Sequence, residues 1–254
     1  MIDLAAIADR LDRAIIGACA THQQPQADAF DAETGYAIQA MGIARREARG
    51  ERVIGVKMGL TSRAKMVQVG VDEVTWGRLT DSMRREEGGT LSRAGFIHPR
   101  AEPEIAFILG DTLSGEVSMA EAALAVEAVA PAIEIIDSRY ENFRFSLGDV
   151  VADNSSSAAF FVGPWARPDT DIANLGIVLN IDGRAREIGS SAAILGHPYR
   201  ALVAAARMTA RAGLTLGPGD IVLAGAATAA VPVERGMAVL AEVQNLGRVG
   251  FSVI

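Results

Sequence analysis

Two glutamates spaced two residues apart are the part of the sequence best suited to chemistry. Glu102 and Glu104 lie in segment 98–107, where the alternation of a β-strand would place both carboxylates on one face and Ile105 and Phe107 on the other. If the acidic face lines a cavity, its adjacent negative charges need a counter-charge, and a hard cation held by carboxylate oxygens is the usual one. If that face is exposed, the pair is only a solvated strand edge, and the local pattern allows both interpretations.

A third acid favours the cation site. Glu134 stands in the apolar segment 131–136, where a carboxylate would be costly to bury without a partner. Three carboxylates that leave positions open for water suit Mg2+ or Mn2+, while the small number of histidines (3) and the single cysteine (1) disfavour Zn2+.

Lys57 is the next candidate for a chemical role. Lys57 and Lys65 are the only lysines among 24 basic side chains, and arginine can supply neither a compact charge nor a proton that leaves at ordinary pH. In segment 53–60, strand alternation puts Lys57 on the face of Gly55 and Gly59, which predicts room for a ligand beside it. An exposed strand lysine between turn glycines is the alternative. Lys65 is predicted to lie solvated on a helix.

The segment 150–157 is polar towards its C-terminal end and precedes an apolar strand. Such a segment is typical of a turn with self-bonded hydroxyls, although its serines could also contact a substrate. His98 and His197 each precede a proline and are interpreted as turn residues, because neither has a serine or cysteine in a pattern that suggests a catalytic triad.

The elements that must position these residues begin with a helical N-terminal region, residues 1–50. Apolar residues at helical spacing predict one helix from Leu4 and a second over about 31–49. We expect these helices to form a cap or an oligomer contact.

The remaining sequence, residues 51–254, is dominated by short apolar segments typical of strands. The predicted strands are 53–60, 102–109, 132–136, 158–162, 177–181, 221–223 and 237–243. Two helices interrupt them, one from a capping box at Ser118 to Pro131 and one from Pro198 to Gly213. Because strands and helices do not alternate regularly, the sequence predicts a single α+β domain with a large mixed sheet.

Composition excludes several functional classes. With 50% hydrophobic and 22% charged residues the chain is not disordered, and its formal net charge of −7 lacks the basic surface that nucleic acids require. The longest run without charged side chains, 14–27, is too short to span a bilayer. Cys19 stands alone and cannot form an internal disulfide, so we expect a cytoplasmic protein with neither a membrane nor a nucleic-acid partner.

Six blocks of the sequence resemble, in the same order, the hydratase/decarboxylase branch of the fumarylacetoacetase superfamily, whose enzymes act in the meta-cleavage degradation of aromatic compounds. The blocks are GVKMGLTS (55–62), LTDSM (79–83), HPRAEPE (98–104), EIIDSRYENF (134–143), VADNSS (151–156) and LGHP (195–198). Six ordered blocks that cover most of the chain are far more specific than any one motif.

The resemblance implies a fumarylacetoacetase C-terminal-like, β-rich mixed-sheet core with N-terminal helices and a divalent metal, usually Mg2+, with Mn2+ as an alternative. The residues that match its metal ligands are Glu102, Glu104 and Glu134. Lys57 matches the active-site lysine, and Asp81 and Ser156 match polar groups that line the substrate cavity. We therefore expect Lys57 and Asp81 to be catalytic and Ser156 to bind substrate. We also expect a homo-oligomer, with a complex with the hydratase of the same pathway as a further option.

Within this branch the sequence favours a decarboxylase. Segment 137–145 resembles the decarboxylases, whereas the hydratases tend to carry Ile and Trp near the positions of Tyr140 and Phe143. The implied reaction is the metal-dependent decarboxylation of a dicarboxylic 2-oxo acid, 2-oxohex-3-enedioate, to 2-hydroxypenta-2,4-dienoate and CO2. Phe143 and Phe145 could then form an apolar wall beside the departing carboxylate.

Three alternatives remain open at the level of sequence. A hydratase would bind the same dienol and add water to it. A carbon–carbon hydrolase of the wider superfamily would need a His/Glu pair to activate water, and His22 is the only histidine in the N-terminal region. A non-catalytic subunit that stabilises a hydratase is disfavoured, because the three glutamates and Lys57 are all present.

Overall fold

Five α-helices occur in the part of the chain that the computed structural model describes, which is residues 2–25, 29–62 and 73–254. They are α1 (Leu4–Gly17), α2 (Ala32–Ala48), α3 (Met119–Leu124), α4 (Leu147–Ala152) and α5 (Pro198–Arg211). The helix predicted around Lys65 falls outside the described residues. None of the described helices is both long and apolar enough to cross a membrane.

Thirteen strands form two sheets within the described residues. They are β1 (Val53–Gly59), β2 (Thr75–Thr80), β3 (Arg84–Arg85), β4 (Thr90–Leu91), β5 (Arg100–Leu109), β6 (Val126–Ile136), β7 (Ser157–Val162), β8 (Gly176–Ile181), β9 (Arg184–Ser190), β10 (Ile221–Leu223), β11 (Val231–Pro232), β12 (Ala238–Val243) and β13 (Gly247–Val253). The larger sheet has the order β2-β1-β10-β5-β6-β7-β3, with β11 also paired to β5, and the smaller one has the order β4-β13-β12-β8-β9. Both parallel and antiparallel pairs occur, so the predicted mixed-sheet α+β architecture is confirmed.

The larger sheet is rolled so that its two end strands approach each other. β2 and β3 stand at opposite ends of the strand order, yet only the turn Asp81–Met83 separates them along the chain. Side chains from strands across the whole sheet accordingly meet in one buried apolar cluster, here called the plug. Its members are Leu79, Met83, Ala106, Ala130, Ala132, Phe160, Val162, Ile221 and Leu223. The plug fills one end of the rolled sheet and leaves the other end for polar groups.

The outer face of the rolled sheet is covered by two other apolar layers. Alternate residues of β5, such as Ile105 and Phe107, pack with α5 in the largest hydrophobic cluster. On β6, Ile133 and Ile135 belong instead to a cluster shared with the smaller sheet. The sheet is therefore buried on both faces, and polar residues on its inner face are enclosed by protein.

The N-terminal helices support the segment between β6 and β7. Ile7 of α1 and Ile38 of α2 form a buried cluster with Tyr140 and Ala152. Within α2, the Gln39 side-chain amide donates to the carbonyls of Trp76 and Val151, at 3.1 Å each. These contacts tie the helices to the loop that precedes β7.

The predicted helix from Ser118 is shorter than expected. The capping box between Ser118 and Glu121 is present, but the helix ends at Leu124. Pro131, the predicted helix end, instead lies inside β6, opposite Ile105. An apolar run of this length is compatible with a buried strand or a buried helix, and pairing with β5 on one side and β7 on the other decides for the strand.

One glycine is required for β1 to pair with β10. Gly55 has a φ of +149°, and a Cβ atom there would lie 1.9 Å from the carbonyl oxygen of Ile221. We expect Gly55→Ala to lower the free energy of unfolding by about 2 kcal/mol or more, because the backbone of the neighbouring strand would have to move.

A matched substitution should have the opposite sign. Gly42 lies inside α2, and a Cβ atom there would meet nothing within 4 Å, so Gly42→Ala should stabilise by about 0.5–1 kcal/mol. Urea unfolding of the two variants measures both effects, and a Gly55 variant as stable as the wild type would contradict the close strand approach.

Candidate active site

Three buried carboxylates converge on the inner face of the rolled sheet. Glu102 of β5 lies directly opposite Glu134 of β6, and Glu104 follows on the same face of β5. One oxygen from each residue lies within 4.8 Å of the other two. The exposed fractions are 6% for Glu102 and 0% for the other two residues, so the acidic face is enclosed and is not a solvated edge.

Lys57 reaches this cluster from the side of the plug. Its strand neighbour in β10 is Leu223, which in turn pairs with Ala106 of β5. The Lys57 Nζ atom donates to Glu134 Oε2 at 2.8 Å. Burial alone would lower the pKa of Lys57, but the attraction of the three carboxylates outweighs burial and raises that pKa. The side chain is therefore an ammonium ion at neutral pH.

Gly55 and Gly59, on either side of Lys57, do not leave the predicted space for a ligand. The space on the Cβ side of Gly59 is filled by the hydroxyl of Thr75, only 2.5 Å from where a Cβ atom would be. At Gly55 the carbonyl of Ile221 occupies that space. The prediction of a ligand space beside these two glycines was wrong, because they allow neighbouring strands to approach closely.

Burial opposes the ionisation of two of the carboxylates in the cluster. Burial and the neighbouring Glu134 raise the pKa of Glu104 well above its usual range, and burial likewise raises the pKa of Glu134. Carboxylates in a buried space are costly to ionise unless a cation offsets their charge. The oxygen atoms Oε1 of Glu104 and of Glu134 are both buried without a hydrogen-bond partner among the described residues.

This donor set fits a hard divalent cation. All the candidate ligand atoms are carboxylate oxygens, which Mg2+ and Mn2+ prefer. Glu104 is held in place because its other oxygen, Oε2, accepts a hydrogen bond of 2.7 Å from the backbone N–H of Gly225. Gly225 has a φ of +98°, and a Cβ atom there would overlap Thr61, so this donor also depends on glycine.

Ser156 lies in an unusual loop at the start of β7. Asn154, Ser155 and Ser156 are three consecutive residues with positive φ, at 50°, 50° and 59°. The loop leads into β7, whose Phe160 lies opposite Glu134. The Ser156 hydroxyl is buried and has no hydrogen-bond partner among the described residues, so it can bind a ligand.

The same loop is fixed by side chains that the sequence analysis did not single out for a function. The Asn154 side chain pairs with the backbone of β2. Its Oδ1 atom accepts from the N–H of Arg78 at 2.7 Å, and its Nδ2 atom donates to the carbonyl of Arg78 at 2.9 Å. Arg139 forms a buried ion pair with Asp153 and donates to the carbonyls of Asp137 and Ser157. Burial raises the pKa of Asp153 to about 6, although Arg139 opposes that change.

The structure does not bring Asp81 to the cluster. The Asp81 carboxylate accepts from the backbone N–H and the Nε of Arg52, at 3.0 and 3.1 Å. Val53 pairs with Thr80, whereas Lys57 pairs with Gly77. Four residues along a strand correspond to about 13 Å. The placement of Asp81 in the cavity is corrected on this ground, and its carboxylate holds the start of β1 to the end of β2.

Aromatic residues that do not lie on a strand pack around Arg100, the first residue of β5. The guanidinium carbon of Arg100 lies 4.1 Å from the centre of the Phe143 ring. On the same ring, His98 packs at a centroid distance of 4.6 Å and Phe145 at 6.3 Å. Tyr140 is instead fully buried beneath the N-terminal helices.

The family is decided by comparison with known proteins. The model of the fumarylacetoacetate (FAA) hydrolase C-terminal family matches residues 52–254. The chain belongs to this family. Its fold is shared with fumarylpyruvate hydrolase from Pseudomonas aeruginosa, at a TM-score of 0.63 and 15% identity over 78% of this chain and 88% of that one.

The relatives include both decarboxylases and hydratases. The chain is 55% identical to a 4-oxalocrotonate decarboxylase from Pseudomonas sp., over 98% of this chain and 97% of the relative. A 2-keto-4-pentenoate hydratase from Burkholderia vietnamiensis (strain G4 / LMG 22486) is 38% identical over 86% of this chain and 85% of its own. The structure of 4-oxalocrotonate decarboxylase from Pseudomonas putida G7, complexed with magnesium and adipate, superposes with a TM-score of 0.95 at 35% identity, covering 99% of this chain and 97% of that one.

Because Glu104 is buried, we expect its replacement by Gln to stabilise the metal-free protein and to weaken metal binding. Because the folded state raises its pKa, ionisation of Glu104 removes stability as the pH rises above the pKa of the unfolded chain, about 4.3. In EDTA at pH 8, Glu104→Gln should therefore raise the free energy of unfolding by about 1 kcal/mol or more, and the gain should shrink towards pH 4. The same substitution should weaken Mn2+ binding.

A control on the same pair of strands separates this effect from a general loss of negative charge. Glu127 is exposed on β6, so Glu127→Gln should change neither stability nor Mn2+ affinity. Urea unfolding at the two pH values and Mn2+ titration give the readouts. A Glu104→Gln protein that is less stable than the wild type in EDTA would contradict the cost of ionising this buried carboxylate.

Proposed function

We propose that the chain is a Mg2+-dependent decarboxylase that converts 2-oxohex-3-enedioate (4-oxalocrotonate) to 2-hydroxypenta-2,4-dienoate and CO2. The observation that carries the proposal is the buried cluster of three carboxylates around one ammonium, in a chain 55% identical to a 4-oxalocrotonate decarboxylase. The related enzyme from Pseudomonas putida G7 is complexed with magnesium and with adipate, which is a six-carbon dicarboxylate.

We assign the metal to Glu102, Glu104 and Glu134. The unpartnered Oε1 atoms of Glu104 and Glu134, and the convergence of one oxygen from each of the three glutamates, are the local support for this assignment. A divalent cation, when bound, supplies a Lewis acid for the 2-oxo acid end of the substrate and draws electrons towards it. The other groups act on the substrate directly or hold it in place.

Lys57 is the group assigned to charge and proton control. When the bond to the distal carboxylate breaks, its electron pair moves through the conjugated chain to the oxygen on C2, and one proton on that oxygen completes the dienol. An ammonium held by Glu134 can stabilise the negative charge on this oxygen or supply the proton. We propose that the Ser156 hydroxyl contacts the substrate in the same cavity.

Enclosure of the cavity favours decarboxylation over hydration. The plug closes one end of the rolled sheet, and the ring of Phe143 lies at the open side. An apolar setting favours the loss of a carboxylate as neutral CO2, whereas a hydratase must hold a water molecule at the same end of the substrate. The hydratase stays the second candidate, since hydratases at 38% identity share the family.

The carbon–carbon hydrolase has less support. His22 does pair with a glutamate, Glu141, at 3.0 Å. Their side chains are 85% and 45% exposed, so the pair is a surface interaction and lacks the enclosure that would set it against one particular water molecule.

We further propose that the protein is a cytoplasmic homo-oligomer that associates with the hydratase of its pathway. A free, exposed cysteine, Cys19, suits a reducing compartment. Leu124 and Ile188 are large apolar side chains with exposed fractions of 85% and 75%, and such residues suit contacts between subunits.

The function is tested by supplying each substrate separately. Purified protein with Mg2+ should release CO2 and the dienol from 2-oxohex-3-enedioate, and it should add little or no water to 2-hydroxypenta-2,4-dienoate supplied alone. EDTA should abolish turnover with little change in circular dichroism or in cooperative unfolding, because a chain of this size folds without a structural metal. Efficient hydration of the dienol, with the diacid left untouched, would reverse the assignment.

A further inference from the structure

The first residues of β7 form a β-bulge against β6. Ile135 of β6 lies opposite Ala159 of β7, in regular antiparallel register. The next residue of β6, Ile136, lies opposite Ser157, so Ala158 is the extra residue of a bulge. A bulge changes the direction of nearby side chains, and bulges are common next to active sites.

The bulge reverses the face of the sheet on which Ser157 lies. Strict alternation from Phe160, a plug residue on the inner face, would place Ser157 on the outer face. Residues directly opposite each other in an antiparallel pair share a face, however, and Ser157 lies opposite Ile136. Ile136 is two residues from Glu134 and shares its inner face. Ser157 is therefore on the inner face, diagonal to Glu134.

This register brings together two buried polar atoms. Diagonal neighbours on adjacent strands are about 7–8 Å apart, a distance that a long side chain such as glutamate can span. The Oγ atom of Ser157 and the Oε1 atom of Glu134 are both buried, and neither completes a hydrogen bond within the described residues. Burial raises the pKa of Glu134, and both Lys57 and the Ser157 hydroxyl oppose that change. The hydroxyl is thus close enough to act on this carboxylate.

The two preceding serines are placed differently. The Ser155 hydroxyl donates to the carbonyl of Trp76 at 3.0 Å, so it is already engaged. Ser156 precedes β7 and has left-handed backbone, so the strand register that sets Ser157 beside Glu134 does not include it. Of the three consecutive serines, Ser157 alone is placed by strand pairing.

The backbone of Ser157 is held by Arg139. The Nη1 atom of Arg139 donates to the carbonyl of Ser157 at 3.1 Å and to that of Asp137 at 2.7 Å. Asp137 directly follows β6, so one planar guanidinium joins the end of β6 to the start of β7. This contact fixes the bulge and with it the direction of the Ser157 side chain.

We propose that Ser157 is a positioning residue of the metal site, whose hydroxyl donates to Glu134 and, together with Lys57, orients that carboxylate for a divalent cation. The inference rests on the proposed function for the assignment of the metal to the three glutamates. Lys57 donates to Oε2 of Glu134, which leaves Oε1, with its two lone pairs, for the cation and for the Ser157 hydroxyl. Hydrogen bonds that orient a metal-binding carboxylate add to its affinity for the metal.

The test is a calorimetric titration of the metal-free protein with Mn2+, without substrate. Ser157→Ala should bind Mn2+ about 10-fold or more weakly, the range for loss of a group that orients a metal ligand. Ser157→Thr keeps the hydroxyl and should stay within about threefold of the wild type. In EDTA, Ser157→Ala should unfold at no lower urea concentration than the wild type, because the hydroxyl completes no hydrogen bond in the metal-free protein. A serine with only a structural role would lower that concentration and leave Mn2+ affinity unchanged.

Ser156→Ala is the matched control, because the hydroxyl of this adjacent serine is also buried without a partner among the described residues. It should leave Mn2+ affinity unchanged. Equal losses in the two alanine variants, or wild-type affinity in Ser157→Ala, would overturn the proposal. Glu134→Gln distinguishes that result from failure of the proposed function. If Glu134→Gln weakens Mn2+ binding and Ser157→Ala does not, the role of Ser157 alone is wrong. If Glu134→Gln also leaves the affinity intact, the metal assignment is wrong and the role of Ser157 falls with it.

Discussion

The burial of three carboxylates beside the Lys57 ammonium is the constraint on which the rest of the structure depends. Lys57 donates to Glu134 at 2.8 Å, and burial raises the pKa of Glu104 and of Glu134. Such an arrangement is costly for a protein on its own and becomes favourable when a divalent cation is bound. A bound metal would offset the cost of ionising these buried carboxylates, at the place where electrons are withdrawn from the substrate.

The rolled sheet encloses the three carboxylates, and its two ends differ in polarity. The plug makes one end apolar, and Lys57 approaches the glutamates from that side. Arg100 and Phe143 lie towards the other end. The loop before β7 carries the buried Ser156 hydroxyl, and its left-handed residues are held by the buried ion pair between Arg139 and Asp153. The N-terminal helices pack under this loop, so they support the site without adding a candidate ligand to it.

Local patterns allowed much of this site to be predicted, and distant pairings account for what was missed. Alternation along β5 put Glu102 and Glu104 on one face, but only pairing with β6 brings Glu134 opposite them. A block match placed Asp81 in the cavity, and strand register showed it at the far end of β1. The Arg139–Asp153 pair joins residues on either side of a loop whose conformation no local pattern specifies.

The most direct measurement is anomalous diffraction from crystals of the Mn2+-loaded protein, recorded just above the manganese absorption edge. The account predicts one strong peak bonded to an oxygen from each of Glu102, Glu104 and Glu134. Lys57 should stay hydrogen-bonded to Glu134 and outside the metal's coordination, because its raised pKa keeps it protonated. A manganese peak elsewhere in the chain, with the three glutamates left metal-free at saturating Mn2+, would contradict the central claim.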